Sequence, residues 1–182
     1  MKRTRFSHLL LALLIALAPA ALADGTPPIV VPPGNGLHLD RAMPGRVPLA
    51  FFSGRLWVKG TLRAQWLEDS GIPDAKRGLD LVLLLDQGEA ERLPHFGGYA
   101  AESIHVKNGE DAVTLAYGKD LAGRLLDKHE AGVVTVHGRF QLESYVISID
   151  CDTQLTQARL VGTDALQAPV SGNVNVATQC ER

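Results

Sequence analysis

From Phe52 to Trp66 the chain alternates. Phe52, Gly54, Leu56, Val58, Gly60, Leu62, Ala64 and Trp66 share one parity, and Ser53, Arg55, Trp57, Lys59, Thr61, Arg63 and Gln65 share the other. Period two over this length predicts one long, half-buried strand. Turn residues follow in "EDSGIPDAKRG", and "LDLVLLLD" reads as a second strand. Leu79, Leu81, Leu83 and Leu85 lie on one side of it. Val82 and Leu84 lie on the other, so its middle is expected to be covered on both faces. "QGEAERLPHFGGYAAE" is loop-like around Gly97-Gly98, and "SIHVK" is a short strand. Asn108-Gly109 signals a hairpin, with "AVTLAYG" as the returning strand. "KDLAGRLLDKHEAG" then predicts a helix, with Leu121, Ala122 and Leu125 near one face and Gly132 just past its end. Gly123 inside it weakens the helix.

The next stretch, "VTVHGRFQLESYVISIDC", breaks its own rule. Val134, Val136, Gly138, Phe140 and Leu142 are even, whereas Tyr145, Ile147, Ile149 and Cys151 are odd. Side chains alternate strictly along a strand, so a regular strand that did this would move its apolar set into water. Either a turn at Glu143-Ser144 separates two strands, or a bulge there adds a residue. In "LTQARLV", a further strand candidate, Leu155, Ala158 and Leu160 also fail to keep one parity. Gly60 and Gly138 sit on the apolar sides of "VKGTL" and "VHGRF". A glycine there packs nothing, but it permits sharp coiling or close backbone approach where a sheet curls into a small barrel.

This order of elements, with a helix before the glycine-marked later strand, resembles the OB-fold, a five-stranded Greek-key barrel. The resemblance covers about residues 50–162 and extends to small exported bacterial proteins of that kind. It implies a mainly β fold, an OB-like small Greek-key β-barrel with one helix between strands 3 and 4. A β-sandwich or another small α+β barrel is the alternative. The expected organisation is a leader at 1–23, a proline-rich arm at 24–48, the OB-like β-barrel domain at 49–166 and a tail at 167–182.

The leader reading comes from Lys2, Arg3 and Arg5, the apolar run Leu9–Leu17, and Ala21-Leu22-Ala23 as a cleavage site. The run is short of the roughly 20 residues a membrane span needs, so export to the periplasm or medium is expected, with cleavage near Ala23. Asp24 rather than cysteine follows, which argues against a lipid anchor. No later segment of the sequence is long and apolar enough to span a membrane. The arm holds Pro27, Pro28, Pro32, Pro33, Pro44 and Pro48 and is expected to be extended, as a spacer or lying on the domain. Of 18 basic and 20 acidic residues, three basic ones lie in the leader, leaving 15 against 20. That acidic balance, together with export, disfavours nucleic acid as a partner. In an oxidising compartment Cys151 and Cys180 are expected to form a disulfide that ties back the tail.

Chemistry is sparse. There is no G-x-S-x-G, phosphate loop or H-E-x-x-H. The histidines lack the close spacing of familiar zinc sites, so neither metal nor cofactor is expected. Arg55, Trp57, Lys59 and Arg63 project from the polar side of the first strand, and His137 and Arg139 from that of the later one. If those strands are neighbours, they form a cationic patch with an aromatic platform, suited to a carboxylate, a phosphate or a sugar. The plainer reading is a solvated outer face with Trp57 covered by the arm. The expected function is a non-catalytic exported binding or adaptor module of the cell envelope, with an envelope polymer, peptide or protein as partner. The alternative is an envelope hydrolase using His95, Tyr99 and Glu102 around the flexible Gly97-Gly98.

Overall fold

A computed structural model of the protein describes residues 25–66, 78–126 and 132–172. The expected leader and Cys180 lie outside them. The fold is mainly β: β1 (Ile29–Val30), β2 (Leu37–Met43), β3 (Leu49–Trp66), β4 (Leu79–Leu85), β5 (His95–Phe96), β6 (Ser103–Val106), β7 (Val133–Asp150), β8 (Thr153–Asp164) and β9 (Val170–Gly172), with helix α1 (Gly109–Leu126) between β6 and β7. β1 pairs with β5 in a small separate sheet, and the other strands form one seven-stranded sheet in the order β2-β3-β4-β6-β8-β7-β9. A further pairing of β3 with β7 curls that sheet partly into a ring of β3, β4, β6, β8 and β7. Every pairing around this ring is antiparallel except β6 with β8.

The alternation of β3 directs Ala50, Phe52, Leu56, Val58, Leu62 and Ala64 inward, where they meet Val134, Val136, Phe140, Leu142, Tyr145 and Ile147 of β7 in one core. Each buried Leu or Phe contributes roughly 1.5–3 kcal/mol. Leu81 and Leu83 of β4 join them; on its other face Val82 is buried but Leu84 is exposed, so the expected cover on both faces holds at Val82 alone. Gly60 and Gly138 are direct partners across β3 and β7. A Cβ at Gly60 would collide with the Leu84 carbonyl oxygen, and one at Gly138 would come 2.7 Å from Leu166 Cδ2. Both positions therefore serve close approach of neighbouring chain.

The parity switch of β7 is a bulge and not a turn. The strand runs unbroken through Ser144, whose φ is +52°. The β3–β7 register slips between Phe52 and Arg55, and the β7–β8 register between Glu143 and Val146. β8 keeps one inward parity from Gln154 to Leu160, but Gln154 and Thr156 take two of its inward places, which hid the pattern from hydropathy.

The hairpin expected at Asn108-Gly109 is not formed, and "AVTLAYG" is helix. α1 begins at Gly109 and kinks at Gly118, where φ is +75°. Ala112, Val113, Ala116 and Tyr117 are buried, at the i, i+3 and i+4 spacing of a helix face and not the alternation of a strand. Asn108 serves a different end. Its Nδ2 donates to the Leu160 carbonyl oxygen (2.7 Å), and its Oδ1 accepts from the Leu160 N–H (2.9 Å). The helix lies over one end of the ring: Tyr117 Oη reaches the Leu62 and Val134 carbonyl oxygens, and Trp66 Nε1 donates to Leu125 O. The predicted end of this helix near Gly132 falls on residues 127–131, outside the described ones.

The arm lies on the domain. β2 pairs with the first part of β3, and Leu37 is buried. The "QGEAERLPHFGGYAAE" loop contains a 3-10 turn (Ala90–Arg92) and β5, and Leu93, Phe96 and Ala101 are buried beneath it. The start of the tail adds β9 to the beginning of β7.

Candidate functional site

β3 and β7 are neighbours, so all six residues of the expected patch share one outer face. Arg55 pairs in register with Glu143, Trp57 with Gln141, Lys59 with Arg139, and Thr61 with His137. The same register brings carboxylates among the cations. Arg55 Nε is 3.2 Å from Glu143 Oε2, and Arg159 approaches the other Glu143 oxygen at 3.6 Å. Arg139 Nη1 is 3.1 Å from Asp164 Oδ2, and His137 Nε2 is 3.6 Å from Asp86 Oδ2. Lys59 and Arg63 have no ion pair among the described residues. Arg63 lies farther along the same face, half-buried between Val82 and Thr135, with its Nε buried and lacking a hydrogen-bond partner among the described residues. Trp57 is half-buried, and the Arg139 guanidinium lies 5.3 Å from its ring centroid. The face is thus a charge-matched ladder whose aromatic surface is already engaged by a cation. The acidic members come from β7, the end of β8 and the residue after β4, and only the strand register brings them together.

A concave site lies elsewhere. β6 joins β8 only at His105–Gln157 and Val106–Ala158. Before that point the two strands part, although β8 from Thr153 onward stays bonded to β7. The open seam is a cleft of about 290 Å³, lined by the Gly98–Ala100 loop, Glu102, Ser103, His105 and Asp152–Thr156. Its floor is polar and well supported. Gln154 Oε1 accepts from the Phe96 N–H (2.8 Å), and its Nε2 donates to Thr156 Oγ1 (3.4 Å). Tyr145 Oη donates to Pro94 O (3.3 Å) below. Burial pushes the Tyr145 hydroxyl well above its ordinary pKa, partly offset by a bond to Thr156. On the wall, His105 Nδ1 is 3.6 Å from Asp80 Oδ1.

Of the loop residues expected to act together, Tyr99 and Glu102 line this cleft, whereas His95 does not. His95 is held by β5 pairing with β1, and its Nδ1 sits 3.0 Å from Leu93 O. His105 and the polar start of β8 were not singled out from the sequence. Two inward polar residues on an otherwise apolar strand side were the available signal. Among the described residues, no three His, Cys, Asp or Glu side chains are grouped to hold a metal ion, and no helix is long and apolar enough to cross a membrane. Cys151 is exposed in the β7–β8 turn, next to the cleft residue Asp152. Comparison with protein-family models, with curated proteins and with solved structures finds no match to this chain.

Proposed function

We propose that the protein is an exported, non-catalytic binding module of the cell envelope, built on an OB-like barrel, with the open β6–β8 seam as its binding site. The barrel reading draws support from the five-stranded ring and from a helix between its third and fourth members. In barrels of that kind, sheet faces and adjoining loops bind extended oligomers. One observation carries the site: a polar-floored cleft opens where two ring strands part. Ligand sites are concave and carry a few placed polar groups, whereas the Arg55, Trp57, Lys59, His137 and Arg139 face spends most of its charge internally. The partner is an envelope polymer, peptide or protein, and a Cys151–Cys180 disulfide secures the tail.

The test is retention of the purified protein on an envelope fraction. Thr153→Trp, an exposed change at the mouth of the cleft, is expected to abolish retention with the circular dichroism spectrum unchanged, and Trp57→Ala is expected to leave retention intact. The reverse pattern would return the site to the β3–β7 face. A hydrolase remains the second reading, favoured by the His105–Asp80 pair on the cleft wall. Turnover by the wild type that His105→Ala abolishes would establish it.

A further inference from the structure

Taking the cleft as the binding site, we infer that its occupant is an extended peptide segment carrying a basic side chain. Two carboxylates face the cleft from opposite banks: Glu102 from the loop before β6, and Asp152 from the β7–β8 turn. Neither has a hydrogen-bond or ion-pair partner among the described residues. Asp80, Asp86, Glu143 and Asp164, on the outer faces, each have a histidine or arginine beside them. No lysine or arginine lines the cleft, and His105 is turned to Asp80. The site therefore presents negative charge with no cation of its own to answer it, and an ammonium or guanidinium supplies one.

The backbone points to a peptide. From Thr153 to Thr156, β8 is bonded along one edge to β7, and β6 does not join its other edge until Gln157. Main-chain groups along such an unpaired length are what an added strand bonds to. A peptide laid between Ser103 and Leu155 extends the ring pairing and sets one long side chain between Glu102 and Asp152, its methylene stem against Tyr99. A volume of about 290 Å³ holds that much and no folded partner. A saccharide brings no strand-like main chain, and an anionic polymer is repelled.

The probe is acetyl-Lys-Thr-Lys-amide, titrated into the isotope-labelled full chain and followed by amide chemical shifts. The lysine peptide is expected to move the Ser103, His105 and Thr153 amides. It should bind about tenfold more tightly than acetyl-Glu-Thr-Glu-amide, the advantage shrinking as salt is raised. Glu102→Gln combined with Asp152→Asn, both exposed positions, should erase that advantage, and Trp57→Ala should keep it. Equal binding of the two peptides, or an advantage that survives the double change, overturns the basic-peptide inference. If a tetrasaccharide of N-acetylglucosamine then moves the same amides, the cleft stands with a different occupant. If none of the three probes moves them, the cleft itself is not the site.

Discussion

Gly60 and Gly138 face each other across β3 and β7, and each is pressed by chain that a Cβ would displace. Their place on an apolar strand side was visible in the sequence. That they are register partners was not, because register depends on both strands at once. Gly60→Ala forces a methyl onto the Leu84 carbonyl and is expected to cost about 2–3 kcal/mol in urea unfolding. Gly123→Ala serves as the contrast. That glycine is exposed in α1 with nothing within 4 Å of an added Cβ, so the change should raise stability by about 0.5–1 kcal/mol. Equal effects at the two sites would refute the close-approach account. The site residues divide similarly. Arg55, Trp57, Lys59, His137 and Arg139 were legible as one polar parity, but their carboxylate partners come from three elements and appear only after folding.

The elements themselves were read with uneven success. The first long strand was plain, since the alternation from Phe52 to Trp66 admits no other period. The bulge at Ser144 was one of two options, and the unbroken strand through it decides between them. The start of α1 was misread because Asn-Gly is a strong local turn signal, while the helical spacing of Ala112, Val113, Ala116 and Tyr117 competes with it over a longer window. Asn108 acts across elements, its amide clamping the backbone of Leu160 on β8 in both directions. Asn108→Ala leaves a donor and an acceptor of that backbone without their partner and is expected to cost about 2 kcal/mol by chemical denaturation. Asn108→Asp should restore only the bond that the Leu160 N–H donates. A loss no larger than that of an exposed substitution would show the clamp to be incidental.

For the molecule as a whole, one core couples the two ends of the ring. Tyr117 of α1 and Tyr145 under the cleft are both buried, and burial raises each hydroxyl well above its ordinary pKa of 10.0. The unfolded chain ionises both near that ordinary value, while the folded chain keeps them neutral. Their contribution to stability is therefore complete below pH 10 and falls as pH rises above it, by about 1.4 kcal/mol per pH unit for each tyrosine. Alkaline titration should show tyrosinate absorbance from these residues appearing together with loss of circular dichroism. Tyr117→Phe with Tyr145→Phe should flatten the slope; an unchanged slope would place the alkaline transition elsewhere. By itself the sequence determined the local and periodic features: the long alternating strand, its glycine-marked counterpart, the parity break at Ser144, and the faces that point inward. These follow from the two-residue period of extended chain and the preference of apolar groups to leave water. Only the tertiary structure decided that β3 and β7 pair, that the cations of their outer face are matched by carboxylates, and that β6 and β8 part to leave the cleft. Each of these is a relation between distant segments, set by which strands share hydrogen bonds and where that sharing stops.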